Sequence, residues 1–178
     1  MKQLIFLITI LALTAFMAPA PEKGDLTVYN AAGIDKEMIY VPAGTFNMHE
    51  IVKENQSFKS QEKIVSVQSF YMFRYEVSNL LYLNYLYDLK KGDSLAYTTA
   101  LPDTTVWRER LAYNEPYVDY YLRHPAYAQY PLVGVTYSQC EKFCKWLTEK
   151  YNNDVKRKHK KVKFRLPSKA EWVYVAAF

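Results

Sequence analysis

The chain has little cysteine, little glycine and no hydrophobic run long enough to span a bilayer with ease. Two cysteines in 178 residues exclude a disulfide-dense scaffold and a four-cysteine zinc site. Five glycines exclude a collagen-like repeat, and none of them lies in a phosphate-binding signature. The three histidines are scattered without metal-ligand spacing, which favours structural or solvent roles. What the chain does have is 50% hydrophobic and 23% charged residues, which is typical of one globular domain.

The net charge of +5 comes from one short segment. Residues 155–163 (VKRKHKKVK) carry six basic side chains and no acidic one, so removing them leaves a net charge of −1 for the rest of the chain. Because the basicity is local, we do not expect a nucleic-acid-binding protein. The segment, which includes Lys158 and Lys160, contacts an anionic lipid surface or an acidic partner, or else is a solvated loop between a helix and a strand.

The first twenty residues are typical of a secretory signal peptide. Lys2 precedes an apolar run over residues 4–17, and small residues follow at positions 18–20. These fourteen apolar residues fall short of the ~17–25 that span a bilayer. Pro21 disfavours cleavage after Ala20, so an uncleaved anchor is the alternative, whereas the absence of a following cysteine gives a lipoprotein anchor no support. We therefore expect an exported protein that is periplasmic or associated with the outer membrane.

Capping residues and apolar spacing predict three helices. The helix starts are marked by Ser78, by Thr136 with Gln139, and by Ser168 with Glu171. Gly92 is expected to stop the first helix. One face of the second helix carries Cys140, Phe143, Cys144, Leu147 and Tyr151. The third helix carries Trp172 and reaches Phe178 without a C-cap, which predicts a truncated chain.

The N-terminal part is predicted to be a loose lead-in followed by strands. The lead-in covers residues 21–36, and Gly44 is expected at a positive φ in the turn that follows the first strand. The predicted strands are Glu37–Val41, a returning strand Thr45–Met48, and Ile64–Tyr75. The charged residues 49–63 are predicted to form a loop.

Residues 93–130 have no strong period and are rich in aromatic side chains, which predicts an ordered insertion. Its aromatic residues include Trp107, Tyr113, Tyr117, Tyr120, Tyr121 and Tyr127. They form a binding surface for carbohydrate or protein, since Tyr and Trp are favoured at interfaces, or they pack the insertion against its own domain. The sequence leaves both interpretations open.

Four sequence blocks in order resemble the formylglycine-generating enzyme (sulfatase-modifying factor) superfamily. The blocks are M-I-Y-V-P-A-G-T-F-N-M from Met38, F-x5-E-V-S-N from Phe70, P-L-V-G-V-T-Y from Pro131, and R-L-P-S-K-A-E-W from Arg165. The last block is the most specific. The resemblance covers residues 37–178, about the first half of the family's domain, and implies an irregular α+β fold of the C-type-lectin-like kind, present here as its N-terminal half.

Three segments of the insertion point to a subgroup. P-D-T-T-V-W, Y-N-E-P-Y and R-H-P-A-Y are similar to segments of the gliding-motility and type IX secretion lipoproteins of Bacteroidetes that carry this domain. The chain departs from that pattern by lacking the lipoprotein cysteine, by His49 where glycine is usual, and by Phe178 where arginine is common. The resemblance implies an exported, non-catalytic structural component of an envelope complex, whose partners are the other subunits. The alternative is a copper-dependent oxidase that converts sulfatase cysteines to formylglycine.

The family's enzymes bind copper(I) through two cysteines, and also bind calcium, at positions beyond the segment matched here. We therefore assign this chain no catalytic residue, no metal ligand and no cofactor. Cys140 and Cys144, one helical turn apart, bind a soft metal or are small buried side chains; the second is favoured because two thiols without a third ligand make a poor site. The structural or interaction candidates are Trp107, Tyr113, Tyr117, Tyr127, Cys144, Lys158, Lys160, Arg165, Glu171 and Trp172.

Overall fold

The computed structural model describes residues 30–54, 57–108 and 113–177, so the predicted signal peptide lies outside the described residues. The helices are α1 (Ala31–Glu37), α2 (Asn79–Gly92), α3 (Ser94–Ala100), α4 (Glu115–Tyr120), α5 (Tyr137–Asn153) and α6 (Lys169–Ala176). The strands are β1 (Met38–Val41), β2 (Gly44–Glu54), β3 (Ser57–Val67) and β4 (Phe70–Phe73). Helices beside two small antiparallel sheets confirm the predicted α+β class.

The three helices predicted from capping residues are confirmed. Ser78 caps α2 by accepting a hydrogen bond from the N–H of Leu81 at 3.3 Å. In α5 the N–H of Thr136 donates to Gln139 Oε1 at 2.7 Å while the N–H of Gln139 donates to Thr136 Oγ1, which closes the capping box. An equivalent box opens α6. Each cap satisfies N–H groups that have no partner within the helix.

The core lies between α1, α2, α3 and α5. Its buried residues are Ala31, Ile34, Leu81, Tyr82, Tyr85, Leu86, Ala100, Phe143, Leu147 and Tyr151. The rings of Tyr82, Tyr85 and Phe143 pack with centroids 5.3 to 5.7 Å apart. The Tyr82 hydroxyl, which is buried with its ring, donates to the carbonyl of Ala100 at 2.8 Å. The buried polar tip is therefore paired, as burial requires.

The predicted loose lead-in is wrong for residues 31–36, which form most of α1. Asn30 caps this helix by accepting from the N–H of Gly33, and Ala31 and Ile34 are buried in the core. The N–H of Ala31 also donates to Asp154 Oδ2 at 2.8 Å. A seven-residue helix is marginal alone, so contacts distant in sequence stabilise it and the local pattern does not reveal it.

The predicted pairing of the first two strands is also wrong. β1 forms as predicted, but it pairs antiparallel with β4, and the predicted strand over 64–75 is split into β3 and β4. Gly44 is not at a positive φ. It begins β2, where a Cβ would overlap the hydroxyl of Tyr174 from α6. Glycine therefore leaves room for the Tyr174 side chain, which would have to shift if this position carried a Cβ.

The charged segment 49–63 is not a loop, because β2 and β3 form a long antiparallel ribbon through it. The register pairs Phe46 with Val65 and His49 with Glu62. Helix α6 covers one face near its base, where Met48 and Val67 are buried. Only a small part of the ribbon is covered, so its sequence lacks the alternation that normally indicates a half-buried strand.

In the part of the chain that the structure describes, no helix combines the length and the apolar character needed to cross a membrane.

Candidate functional site

The insertion folds around a cluster of aromatic rings. The aromatic cluster comprises Trp107, Tyr117, Tyr121, Tyr127 and Tyr130. Trp107 ends a 3₁₀ turn over Thr104–Trp107, and its ring lies 4.7 Å from Tyr121 and 5.3 Å from Tyr117. Tyr121 stacks on Tyr127 with centroids 5.3 Å apart. Such pairs contribute beyond their buried area, so the cluster helps to order a segment whose helices, α3 and α4, are short.

Asn79 fastens this cluster to α2. Its side chain is completely buried, and Nδ2 donates to the carbonyls of Tyr121 and Tyr127, both at 3.0 Å. The N–H of Asn79 donates to the carbonyl of Tyr130 at 2.9 Å. The Tyr121 hydroxyl donates to Pro131 O at 2.7 Å, and burial raises the pKa of that hydroxyl. These bonds hold the insertion rigidly against the first turn of α2.

The two interpretations of the insertion apply to different rings. Tyr121 is 8% exposed, and Trp107 and Tyr127 are half-buried, so these rings pack the insertion against its own domain. Tyr117, Tyr120 and Tyr130 are exposed on the outside of the same cluster. Tyr113 is 89% exposed, lies at a φ of 52°, and contacts no ring of the cluster. The insertion therefore presents tyrosines on a rigid support, which is the usual composition of a recognition surface.

The R-L-P-S-K-A-E-W block forms an ion pair and a cap. Arg165 donates from both terminal nitrogens to Glu171, with Nη1 to Oε2 at 2.7 Å, and the N–H of Ser168 donates to the same carboxylate. The Arg165 guanidinium holds the pKa of Glu171 down, to about 2. Trp172 is 60% exposed on α6. Arg165 and Glu171 therefore set the start of α6, whereas Trp172 presents an apolar face to solvent.

Two open cavities border α1. One of about 510 Å³ is lined by Asp88, Trp146 and Lys150 among others, and one of about 800 Å³ lies between α1 and the segment that leads into α2. In the first, Asp88 accepts from Lys150 Nζ at 2.7 Å and from the Trp146 indole at 3.1 Å. Both cavities are bordered by Asn30, the first described residue, so we assign no ligand to either.

Comparison with known families identifies the family to which the chain belongs. Residues 27–177 match the model of the sulfatase-modifying factor enzyme 1-like domain. The chain belongs to this family. The match spans the four blocks that the sequence shares with the formylglycine-generating superfamily, and confirms that resemblance. Neither a curated protein nor a solved structure matches the chain significantly.

The copper(I) chemistry of the formylglycine-generating superfamily does not fit the thiols present in this chain. Cys140 and Cys144 are free and half-buried, and burial raises the pKa of both. Burial therefore disfavours the thiolate form of both side chains, and the thiolate is the form in which cysteine binds copper(I) most strongly. No third His, Cys, Asp or Glu joins them among residues 30–54, 57–108 and 113–177. Cys144 instead packs against the core of the sulfatase-modifying-factor-like domain.

The basic segment of this family member is an ordered loop. The N–H of Lys158 donates to Asp35 Oδ2 at 3.1 Å, and the N–H of His159 donates to the Tyr151 hydroxyl at 3.2 Å. That hydroxyl donates to Asp35 Oδ1 at 2.6 Å. The side chains of Lys158 and Lys160 are exposed. Where we predicted a strand after this loop, residues 162–168 instead run without strand pairing into α6.

Sequence reasoning missed two residues that organise these surfaces. Asn79 follows an N-cap serine, and nothing local shows that its amide bonds the insertion. Asp35 lies in the segment expected to be loose, although its carboxylate holds the basic loop. Both act through partners more than forty residues away, so a single sequence carries no signal for them.

Proposed function

We propose that the chain is an exported, non-catalytic member of the sulfatase-modifying-factor-like family that serves as a structural subunit of a gliding-motility or type IX secretion complex in the cell envelope. The observation that carries the proposal is the aromatic insertion. Its inner rings fix it to α2 through Asn79, and its outer tyrosines face solvent. Exposed aromatic side chains on an ordered support are the residues through which a subunit docks on its partners.

Three further features support the proposal. The insertion segments are similar to those of the gliding and secretion lipoproteins. The signal-peptide pattern over residues 1–20 agrees with export. Cys140 and Cys144 are half-buried free cysteines, and Cys144 packs against the core, which is a structural role.

The second candidate is the copper-dependent formylglycine-generating oxidase, and family membership favours it. In that case the catalytic cysteines would come from sequence outside this chain.

Deleting the gene in its native host distinguishes the two candidates. We expect the deletion strain to lose gliding or the secretion of type IX substrates while its sulfatases keep their formylglycine and their activity. The opposite pattern, with sulfatase activity lost and secretion intact, would replace the structural proposal with the oxidase.

A purified-protein assay addresses the chemistry directly. The full chain, supplied with copper(I) and a cysteine-containing sulfatase peptide, is expected to consume no more oxygen than copper and peptide alone and to form no formylglycine by mass spectrometry. Turnover above that blank would refute a non-catalytic chain.

A further inference from the structure

The loop between α5 and α6 concentrates positive charge on a rigid support. We call residues 155–163 the lysine loop. Arg157 holds its shape, because Nη1 donates to the carbonyl of Asp154 at 2.8 Å and Nε donates to the carbonyl of Lys160 at 3.2 Å. Asn152 closes the loop through two hydrogen bonds to the backbone of Val162. The only arginine of the loop is therefore used internally.

The lysines of the loop are directed outward. All five are exposed, and within the described ranges none of them forms an ion pair with a carboxylate: Lys156, Lys158, Lys160, Lys161 and Lys163. The charges are held on backbone that is bonded to Asp35 and Tyr151, so they cannot disperse as those of a flexible tail would. The loop therefore produces a local positive potential on a chain that is otherwise near neutral.

Apolar and aromatic groups accompany these charges. Val155, at the start of the loop, is 90% exposed. The ring of Tyr71 from β4 lies 5.1 Å from His159, and Tyr40 from β1 contacts Tyr71 at 5.4 Å. Both tyrosines are exposed. Lysines that flank an exposed aliphatic side chain and tyrosines are the usual composition of a surface that rests at a membrane interface.

The exposed basic side chains of the loop are lysines and not arginine, and this favours a membrane over a protein as the partner. Lysine is depleted in protein–protein interfaces, where arginine is enriched because its planar guanidinium makes directed hydrogen bonds. Lysine attracts an anionic lipid surface as a mobile point charge, which needs no fixed geometry. Five exposed lysines, with the one arginine of the loop bonded to its own backbone, thus favour a lipid surface over an acidic protein.

We propose that the lysine loop docks the protein on an anionic lipid surface, with Val155 entering the interface. The inference rests on the proposed export to the envelope and names the surface by which the protein contacts a membrane there.

Co-sedimentation with vesicles tests the proposal in the full chain. The vesicles contain equal parts of phosphatidylglycerol and phosphatidylcholine, or phosphatidylcholine alone. Each lysine near an anionic surface multiplies binding by about fivefold, so Lys160→Gln with Lys161→Gln should weaken binding to the anionic vesicles at least tenfold. Raising the salt from about 50 to about 500 mM should release the wild-type protein from them, because the attraction is screened.

The matched control is Lys142→Gln with Lys145→Gln, which removes the same charge from exposed positions on α5. Both double variants keep residues 1–20, so any binding by that apolar run is the same in each. We expect the control to bind the anionic vesicles within twofold of the wild type, and Val155→Ser to weaken that binding severalfold. All variants should bind phosphatidylcholine alone equally.

Equal binding by the two double variants would overturn the proposal. So would tighter binding to poly-glutamate than to anionic vesicles at equal charge concentration, which would assign the loop to an acidic protein. The gene-deletion experiment tests the role in the envelope complex, and the vesicle experiment tests lipid binding by the lysine loop. Either proposal can therefore fail without the other.

Discussion

Gly134 is a single residue on which the position of the insertion depends. Its φ is +74°, and its carbonyl accepts from the N–H of Asp103, a residue of the insertion, at 2.7 Å. A Cβ at this position would overlap the carbonyl oxygen of Asp103, which is backbone and cannot turn away. Gly134 therefore combines a left-handed conformation with a close approach of two chain segments.

We predict that Gly134→Ala lowers the free energy of unfolding by about 2 kcal/mol or more, through the positive φ and the overlap. The control is Gly92→Ala at the end of α2, where a Cβ meets no atom within 4 Å and alanine is the better helix former. Urea denaturation should show the control unchanged or stabilised by up to about 1 kcal/mol. Equal loss in both variants would contradict the role of Gly134.

We predict that Glu171 makes part of the free energy of unfolding depend on pH in the acid range. Its pKa is lowered from 4.5 to about 2 by Arg165, so its contribution is complete above the unfolded value and is lost as the pH falls through the folded value. Glu171→Gln should cost about 1–3 kcal/mol at pH 7, the usual range for a hydrogen bond to a charged group.

Denaturation between pH 7 and 2 checks this prediction. The difference in the free energy of unfolding between the wild type and Glu171→Gln should decrease from about pH 5 downward and be nearly lost at about pH 2. Glu149→Gln, which removes an exposed carboxylate from α5, should track the wild type throughout. A gap that is constant with pH would mean that the charge of Glu171 is not what stabilises α6.

At the scale of elements, the sequence predicts what is locally encoded. Helices α2, α5 and α6 begin at the predicted caps because a cap and an apolar face lie within one stretch of chain. α1 and the β1–β4 pairing could not be predicted, since both depend on distant partners. The β2–β3 ribbon was not predicted because its residues 49–63 are mostly charged or polar, and α6 contacts the ribbon near its base.

The candidate site shows the same limit. The aromatic residues of the insertion are visible in the sequence, and the choice between packing and display is not. In the structure the answer differs from one ring to the next. Tyr121, whose carbonyl accepts from Asn79, is buried, whereas Tyr120 is exposed. Tyr113, which the sequence places with the others, does not join them.

The attachment of the insertion to α2 predicts the effect of Asn79→Ala. The buried carbonyl of Tyr121 and the partly buried carbonyl of Tyr127 lose their donor, which should cost about 2–4 kcal/mol in total. Hydrogen exchange should rise first in residues 113–130. Asn84→Ala is the control, because the amide of Asn84 is also buried but donates only within α2, to the carbonyl of Leu80. Equal exchange of the insertion in both variants would show that Asn79 does not fasten it.

At the scale of the whole molecule, a helical core supports three distinct surfaces. The outer tyrosines of the insertion, the lysine loop and the exposed Trp172 on α6 each lie on a different element. The core itself, built from α1, α2, α3 and α5, supplies the rigid support. This arrangement suits a subunit that contacts several neighbours, and places the proposed docking function in the insertion.

Complementation of the deletion strain tests that claim most directly. Tyr120→Ser with Tyr130→Ser removes two exposed tyrosines from the insertion, and Tyr75→Ser with Tyr137→Ser removes two tyrosines elsewhere that are somewhat more exposed. With both variants expressed at wild-type levels, we predict that the first restores less than about a tenth of gliding or type IX secretion, since central aromatic residues carry most of an interface's energy, and that the second restores nearly all of it. Equal restoration by the two variants would contradict the account.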